Sequence, residues 1–249
     1  SFIRFSDNSF FLTNQSPDVD SLFSTAIQRP ETTVCEDALA SGVNIKENCP
    51  SADERAILAA SLAIDKLPAS FIREKAHLAL VILSDEDERS ASGSLKGYSL
   101  EEGDQPQALV DKVHAVLGAA KTFSAHTVGI RPGDSACLTE QSHQAYGVRG
   151  FEAHVYSELT TLTAGVFGSV CESDWSAQIG EIGASVVHNT QTLSVACSNP
   201  VNNEFEITFT PPNDITWEFD STNRLIRFSQ ALPAGTIGTL KYGCPSLKK

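Results

Sequence analysis

An abrupt change from apolar to acidic residues is the feature of this chain most able to do chemistry. Seven of the eight residues from Ala76 to Leu83 are apolar, and Ser84 is followed by four consecutive carboxylates, Asp85 to Glu88. A continuous apolar run of this length predicts a strand buried on both faces, as in parallel sheets. Open α/β sheets bind their ligands just beyond the carboxyl ends of such strands. Carboxylates at that position suit Mg²⁺ or Ca²⁺, and a solvated turn is the alternative interpretation.

Composition and charge narrow the class of protein. The chain has 249 residues, of which 41% are hydrophobic and 20% charged, as in a globular protein with one large domain or two ordinary ones. Its formal net charge of −13 repels phosphate backbones, so nucleic acid is not an expected partner. No apolar run approaches the roughly 20 residues of a membrane helix, so no membrane span is expected. The sequence contains no methionine, which indicates that the chain is processed or is part of something longer.

The six cysteines predict disulfide bonds. They are Cys35, Cys49, Cys137, Cys171, Cys197 and Cys244. No C-x-x-C pair occurs, which argues against a zinc knuckle or a thioredoxin-type site. Six cysteines allow 15 pairings, and their positions along the chain favour the local ones, Cys35–Cys49, Cys137–Cys171 and Cys197–Cys244. Such bonds imply an oxidising compartment, the alternative being buried free thiols in a cytosolic protein.

Helical and extended patterns alternate through the first three quarters of the chain. Ser51 and Glu54 have the spacing of a capping box and predict a helix start, followed by an apolar helical face to Leu67. Further predicted helices cover 109–120, 157–164 (ended by Gly165) and 175–186, and further predicted strands cover 2–8, 9–13, 77–84, 123–130 and 166–171. This rhythm predicts an α/β fold with a doubly wound, mostly parallel sheet.

The pattern changes after His188. Short β-rich runs at 192–198, 204–210, 215–219, 225–229 and 236–242 are separated by turn residues such as Pro211-Pro212-Asn213-Asp214. We therefore predict an α/β domain over residues 1–188 and a small antiparallel β domain over 189–249. In the second domain, Trp217 is expected to be a core residue rather than a binding platform.

Several of these segments together carry a family resemblance. They are the strand at Phe2–Asn8, the helix start at Asp53-Glu54-Arg55, the strand and acidic loop at Leu80–Asp87, the helix, turn and strand within Tyr156–Trp175, and the tail segments Ile215–Phe219 and Ala231–Gly235. The chain resembles the von Willebrand factor A-type (VWA) domains of bacterial secreted and surface proteins that carry a small β-sandwich directly after the A domain.

The resemblance implies a divalent-cation site of the metal-ion-dependent adhesion (MIDAS) type. That site is built from an Asp-x-Ser-x-Ser motif after the first strand, a hydroxyl ligand from a second loop and an Asp after the central strand. Asp85 matches the last position, and Ser51 or Asp53 is the nearest match to the second. The first motif is absent, and Asp7–Phe11 does not replace it. The likeness thus implies that the first strand and helix of the domain lie upstream and were lost, or come from another chain, or that the metal site is degenerate. It also implies that this chain alone binds Mg²⁺ or Ca²⁺ weakly.

Catalytic motifs are poorly represented. Gly133-Asp134-Ser135 is similar to a Gly-Asp-Ser nucleophile motif, but its neighbours indicate a polar turn. The six histidines show no metal-ligand spacing, and His77 and His126 lie in strand patterns that favour packing roles. No glycine-rich phosphate loop precedes a helix.

We therefore expect an extracellular, cell-surface or periplasmic protein that binds a protein or a surface glycan, and not an enzyme. Two alternatives belong to other classes. One is a structural subunit of a larger surface assembly that uses the A-type fold as a metal-independent scaffold, and the other is a secreted hydrolase.

Overall fold

A computed structural model describes most of the chain. The described residues are 11–13, 15–28, 41, 54–67, 71–72, 76–90, 99–119, 121–142, 150–195, 204–222, 224–230, 232–233 and 236–244. Within them the fold is mixed α/β, with a three-stranded parallel sheet and separate antiparallel sheets. None of the described helices is long and apolar enough to cross a membrane.

The first part of the described chain alternates helix and strand around the parallel sheet. Its elements are α1 (Val19–Gln28), α2 (Ala56–Lys66), β1 (Leu78–Leu83), α3 (Pro106–Leu117), β2 (Phe123–Gly129), α4 (Ser135–Gln141), α5 (His154–Leu162), β3 (Phe167–Ser169) and α6 (Trp175–Gln191). The strand order is β1-β2-β3, with Leu78 opposite Phe123 and Thr127 opposite Phe167. The predicted parallel sheet is confirmed over these three strands.

Helices pack on both faces of this sheet. On one face, α2, α3 and α5 share an apolar core with β1 and β2, formed around Ile57, Ile82, Leu109 and Leu159. Helix α6 lies on the other face. Gly168 of β3 pairs with Val128 of β2 and faces away from this core, and a Cβ added at Gly168 would meet the side chain of Gln178 in α6. The amide of buried Gln178 fixes α6 to β3 by exchanging two hydrogen bonds, at 2.6 and 3.0 Å, with the backbone of Ser169.

The expectation that β1 is buried on both faces is wrong. Its exposure alternates along the strand, and Val81 and Leu83 are 49% and 62% exposed whereas Ile82 is 3% exposed. The central strand β2 is buried at every position after Phe123. β1 is at the edge of the sheet among the described strands, and a run of apolar residues does not reveal whether a helix covers the second face.

A series of hydrogen-bonded polar groups lies along the sheet next to this apolar core. The Val166 backbone N–H donates to Nδ1 of buried His126 at 3.0 Å. The Ser124 hydroxyl lies 2.9 Å from Nε2 of His126 and 2.7 Å from Nε2 of His77. Burial lowers the pKa of both imidazoles. These contacts agree with packing roles for the two histidines, although Nδ1 of His77 is buried without a hydrogen-bond partner.

The last part of the described chain is antiparallel. The strands are β4 (Thr192–Ser194), β5 (Phe205–Thr210), β6 (Trp217–Asp220), β7 (Leu225–Phe228) and β8 (Ile237–Tyr242), paired as β4-β7-β6 and β5-β8. Phe205 of β5 lies 6.1 Å from Trp217 and 4.5 Å from Phe219, measured between ring centroids. The two sheets therefore share one apolar core, which also contains Val195 and Ile226.

Several element boundaries differ from those predicted. Residues 11–13 are not part of a strand, and the sequence did not predict α1. Helix α6 continues past His188 to Gln191, and β4 then pairs with β7 rather than with the parallel sheet. The predicted strand at 2–8 lies outside the described residues, and the division into domains 1–188 and 189–249 stays a prediction.

Candidate functional site

Asp85 follows the carboxyl end of β1, as predicted, but among the described strands β1 is an edge strand and not the expected central strand. The Ser84 backbone N–H continues the strand pairing by donating to the carbonyl of Val128 at 3.1 Å. The carbonyl of Asp85 accepts the N–H of Phe151 at 2.9 Å, which brings the segment before α5 to the same edge of the sheet. The Asp85 side chain is half-buried and makes no hydrogen bond or ion pair in the described structure. It is therefore a carboxylate at the strand ends that the fold does not use.

A second segment reaches the same strand end. The Ser84 hydroxyl donates a hydrogen bond to the carboxylate of Glu54, and the N–H of Glu86 donates to Ser84 Oγ at 2.9 Å. The backbone N–H of Arg89 donates to the carbonyl of Glu54 at 2.7 Å. The start of α2 is thus held beside the residue before Asp85. The other two predicted ligands, Ser51 and Asp53, lie outside the described residues.

Asp87 has a structural role that the sequence analysis missed. Its side chain is fully buried and accepts the backbone N–H groups of Val155, at 3.1 and 3.0 Å, and of Tyr156, at 3.3 Å. These N–H groups belong to the first turn of α5, where no intrahelical acceptor exists. The residue at the N-cap, Ala153, has no side-chain acceptor of its own. Asp87 therefore caps α5 from 67 residues upstream of that helix's first residue. Burial raises the pKa of Asp87, and the backbone donors oppose this shift.

Glu88 caps a different helix in the same way. It is fully buried and accepts the N–H groups of Ile57 at 2.9 Å and Leu58 at 3.3 Å, both in the first turn of α2. The N-cap of α2 is Arg55, which makes no capping hydrogen bond. The hydroxyl of Tyr156 also hydrogen bonds to Glu88, and it accepts the N–H of Ala56 at 3.4 Å. Burial raises the pKa of Glu88 to about 7, because the charged form is poorly solvated there.

An ion-pair network supports the same region from the side of α3. Arg55 donates from Nε and Nη2 to Oδ1 of buried Asp104 at 2.9 and 2.6 Å, and from Nη2 to Glu101 at 2.9 Å. Arg89, with a left-handed φ of 53°, places its guanidinium 2.6 Å from Glu101 and 3.7 Å from Asp104. Hydrogen bonds from the two arginines, that of Arg55 first, lower the pKa of Glu101. The charges around the start of α2 are therefore paired.

A complete metal-ligand cluster is not present among the described residues. They contain no group of three or more His, Cys, Asp or Glu side chains placed to hold one ion. Asp87 and Glu88 direct their oxygens at helix N-termini instead. Of the acidic run, Asp85 alone has a side chain without a hydrogen bond or ion pair in the described structure.

The Gly133-Asp134-Ser135 motif lies in the predicted turn, closed by the Asp134 N–H bonded to the Arg131 carbonyl at 3.0 Å, and this turn leads directly into a helix. Asp134 accepts the N–H of Cys137 at 3.0 Å and caps α4, and Gly133 before it has a φ of 85°. The Ser135 carbonyl accepts the hydroxyl of Thr139 at 2.7 Å. No described histidine is hydrogen-bonded to Ser135, and the motif is accounted for as a helix start.

One predicted disulfide is confirmed. Cys137 of α4 is bonded to Cys171, just after β3, with the two Cα atoms 5.7 Å apart. The bond fixes α4 beside the carboxyl end of β3. Cys35, Cys49 and Cys197 lie outside the described residues, so the Cys35–Cys49 and Cys197–Cys244 pairings stay predictions.

Comparisons with known proteins identify no relative of this chain. No protein-family model matches the chain, and no curated protein and no solved structure is significantly similar to it. Membership of the VWA family therefore stays a prediction that is carried by sequence segments and by the order of strands and helices.

Proposed function

We propose that this chain is an extracellular, cell-surface or periplasmic binding module of the VWA type. In this proposal the carboxyl ends of the parallel strands form the binding face, and a protein or a surface glycan docks there through a divalent cation. The observation that carries the proposal is the Ser84–Glu54 hydrogen bond. This bond holds Glu54, and with it the start of α2, beside the residue that precedes Asp85.

Asp85 is the residue assigned to the cation. Among the four carboxylates of the acidic run it alone is without a hydrogen bond or ion pair in the described structure, whereas Asp87 and Glu88 are occupied as caps. A half-exposed carboxylate with no protein partner is chemically available to Mg²⁺ or Ca²⁺. Ser51 or Asp53 supplies a second ligand. The Asp-x-Ser-x-Ser ligands come from an upstream segment or from another chain, and until they are present the affinity for a cation is low.

The experiment is calorimetric titration of Mg²⁺ into the full chain. Wild type is expected to give weak binding heat, which Asp85→Ala abolishes because the carboxylate assigned to the cation is gone. Glu158→Ala is the matched control, since Glu158 is an exposed carboxylate on α5. Unchanged Mg²⁺ binding in Asp85→Ala would show that the ligand is wrongly assigned.

The metal-independent scaffold is the second candidate, and one observation favours it. Val81 and Leu83 expose apolar surface on one face of β1, and adjacent exposed apolar side chains are typical of surfaces that are covered in an assembly. A scaffold predicts self-association that persists in EDTA and is lost in Leu83→Lys. The cation-dependent module predicts partner binding that EDTA removes and that Leu83→Lys leaves intact.

A further inference from the structure

A cavity lies under α2, at the end of the parallel sheet opposite Asp85. It has a volume of about 170 Å³ and is bounded by α2, the start of β1, the start of β2, α3 and the residues that follow α2. We call it the α2–sheet cavity. Its lining includes Ala60, Ala63, Ile64, Phe71, Leu80 and Leu109.

The lining runs from the core to the surface. Leu109 is 1% exposed and Ile64 8% exposed, whereas Phe71 is 40% exposed. The ring of Phe71 is supported by Phe11, with the two centroids 5.0 Å apart. A ligand can therefore reach a buried apolar space by passing an exposed aromatic ring.

Water is a poor occupant of the α2–sheet cavity. A buried water needs two to four polar partners, and the described lining side chains are all hydrocarbon. An engineered protein cavity of about 150 Å³ lined by similar side chains stays dry and binds benzene or xenon. The α2–sheet cavity has a comparable volume and an equally apolar lining, but it opens to the surface beside Phe71.

We propose that the α2–sheet cavity is a binding site for a neutral hydrocarbon group, either a six-membered ring or a short aliphatic chain. This inference does not depend on the proposed cation-dependent function, because the cavity and Asp85 lie at opposite ends of β1. Ala63 on α2 sets the free space, since a larger side chain at that lining position fills it. Ligand binding is therefore expected to stabilise α2 against β1.

Methyl NMR of the full chain, titrated separately with benzene and with 1-hexanol, tests the proposal. At least one of the two is expected to shift the methyl resonances of Ile64, Leu80 and Leu109 saturably and to raise the melting temperature. The more effective probe distinguishes a ring from a chain. If neither probe shifts these methyl resonances, the proposal is wrong.

Two alanines of α2 provide the matched variants. Ala63→Leu fills the α2–sheet cavity and is expected to abolish the benzene and 1-hexanol shifts, whereas Ala59→Leu on the exposed side of α2 is expected to retain them. Ala60→Val removes less volume and is expected to weaken binding, which keeps the test available if Ala63→Leu does not fold. Wild-type binding in the folded Ala63→Leu or Ala60→Val variant would overturn the assignment.

Discussion

Asp87 and Glu88 are neighbours in the chain, and their carboxylates cap two different helices. Asp87 accepts N–H groups from the first turn of α5, and Glu88 accepts N–H groups from the first turn of α2. Both side chains are fully buried. The loop after β1 therefore ties two helices to the end of the strand, which leaves Asp85 beside it with a fixed backbone and an unused side chain.

Removing the Asp87 carboxylate is expected to destabilise the fold. Asp87→Ala deletes a cap, typically worth about 1–2 kcal/mol, and leaves the N–H groups of Val155 and Tyr156 buried without acceptors, so a total loss of about 2–4 kcal/mol is expected. Urea unfolding measures this loss. Hydrogen exchange at Val155 should accelerate more than exchange in α3.

The control for Asp87→Ala is Glu158→Ala on the same helix. Glu158 is exposed, so the substitution is expected to change the unfolding free energy by less than about 0.5 kcal/mol. Equal effects of the two substitutions would mean that the Asp87 cap contributes nothing.

The raised pKa of Glu88 predicts a pH-dependent stability. Burial raises this pKa from its ordinary 4.5 to about 7. Between these pH values the folded state keeps a proton that the unfolded state has released, so the Glu88 contribution to stability falls as the pH rises through this window. The loss is about 3.5 kcal/mol at most, since each pKa unit corresponds to about 1.4 kcal/mol.

Glu88→Gln isolates this contribution because it keeps one acceptor oxygen and removes the titration. From pH 4.5 to pH 8, the unfolding free energy of wild type is expected to fall relative to that of Glu88→Gln. Urea unfolding across this range measures it. Parallel pH profiles for the two proteins would contradict the burial argument.

Two glycines are expected to respond oppositely to a methyl group. The sequence predicted that Gly165 ends α5, but Ala164 is the residue with a positive φ, of 51°, and Gly165 is needed because a Cβ would clash with the carbonyl of Ala125. Gly165→Ala is therefore expected to destabilise the fold by more than about 2 kcal/mol. Gly180→Ala in α6 meets nothing within 4 Å and is expected to stabilise by up to about 1 kcal/mol. Thermal unfolding of both variants provides the comparison.

The disulfides can be checked chemically. The Cys137–Cys171 bond closes a loop with a sequence separation of 34, and Cys137→Ser with Cys171→Ser is expected to cost about 2–4 kcal/mol in unfolding free energy. A non-reduced peptide map should also show Cys35–Cys49 and Cys197–Cys244. A bridge from Cys49 to Cys171, or six free thiols, would contradict the predicted connectivity.

The sequence alone predicts much of the fold. The helical faces and apolar runs placed β1, β2, α3, α6 and the antiparallel strands within a few residues, because their periodicity follows from which side is buried. It could not predict that one face of β1 is exposed, since Val81 and Leu83 have the composition of core residues. Nor did it predict α4, whose first residues resemble a turn because Asp134 is both a turn former and a helix cap.

The site was predicted less completely than the fold. The change from apolar to acidic residues located the strand end and Asp85, but the four carboxylates look alike in sequence although their environments differ. Asp87 and Glu88 bind N–H groups that lie 68 and 31 positions away, and pairing over such distances leaves no local pattern. The helix starts were also predicted at other residues, near Ser51 and Ser157, so the sequence did not show that the N-caps Arg55 and Ala153 lack a capping side chain and need acceptors from elsewhere.

Paramagnetic broadening by Mn²⁺ tests the central assignment most directly, because it locates even a weakly bound cation. Amide NMR spectra of the full chain are recorded during a Mn²⁺ titration. The account predicts selective broadening of the amide resonances of residues 84–86 and of Phe151, whose N–H donates a hydrogen bond to the Asp85 carbonyl. This broadening is expected to be lost in Asp85→Ala. Broadening centred on Glu101 and Asp104, or an unchanged pattern in Asp85→Ala, would contradict the assignment of Asp85 as the cation ligand.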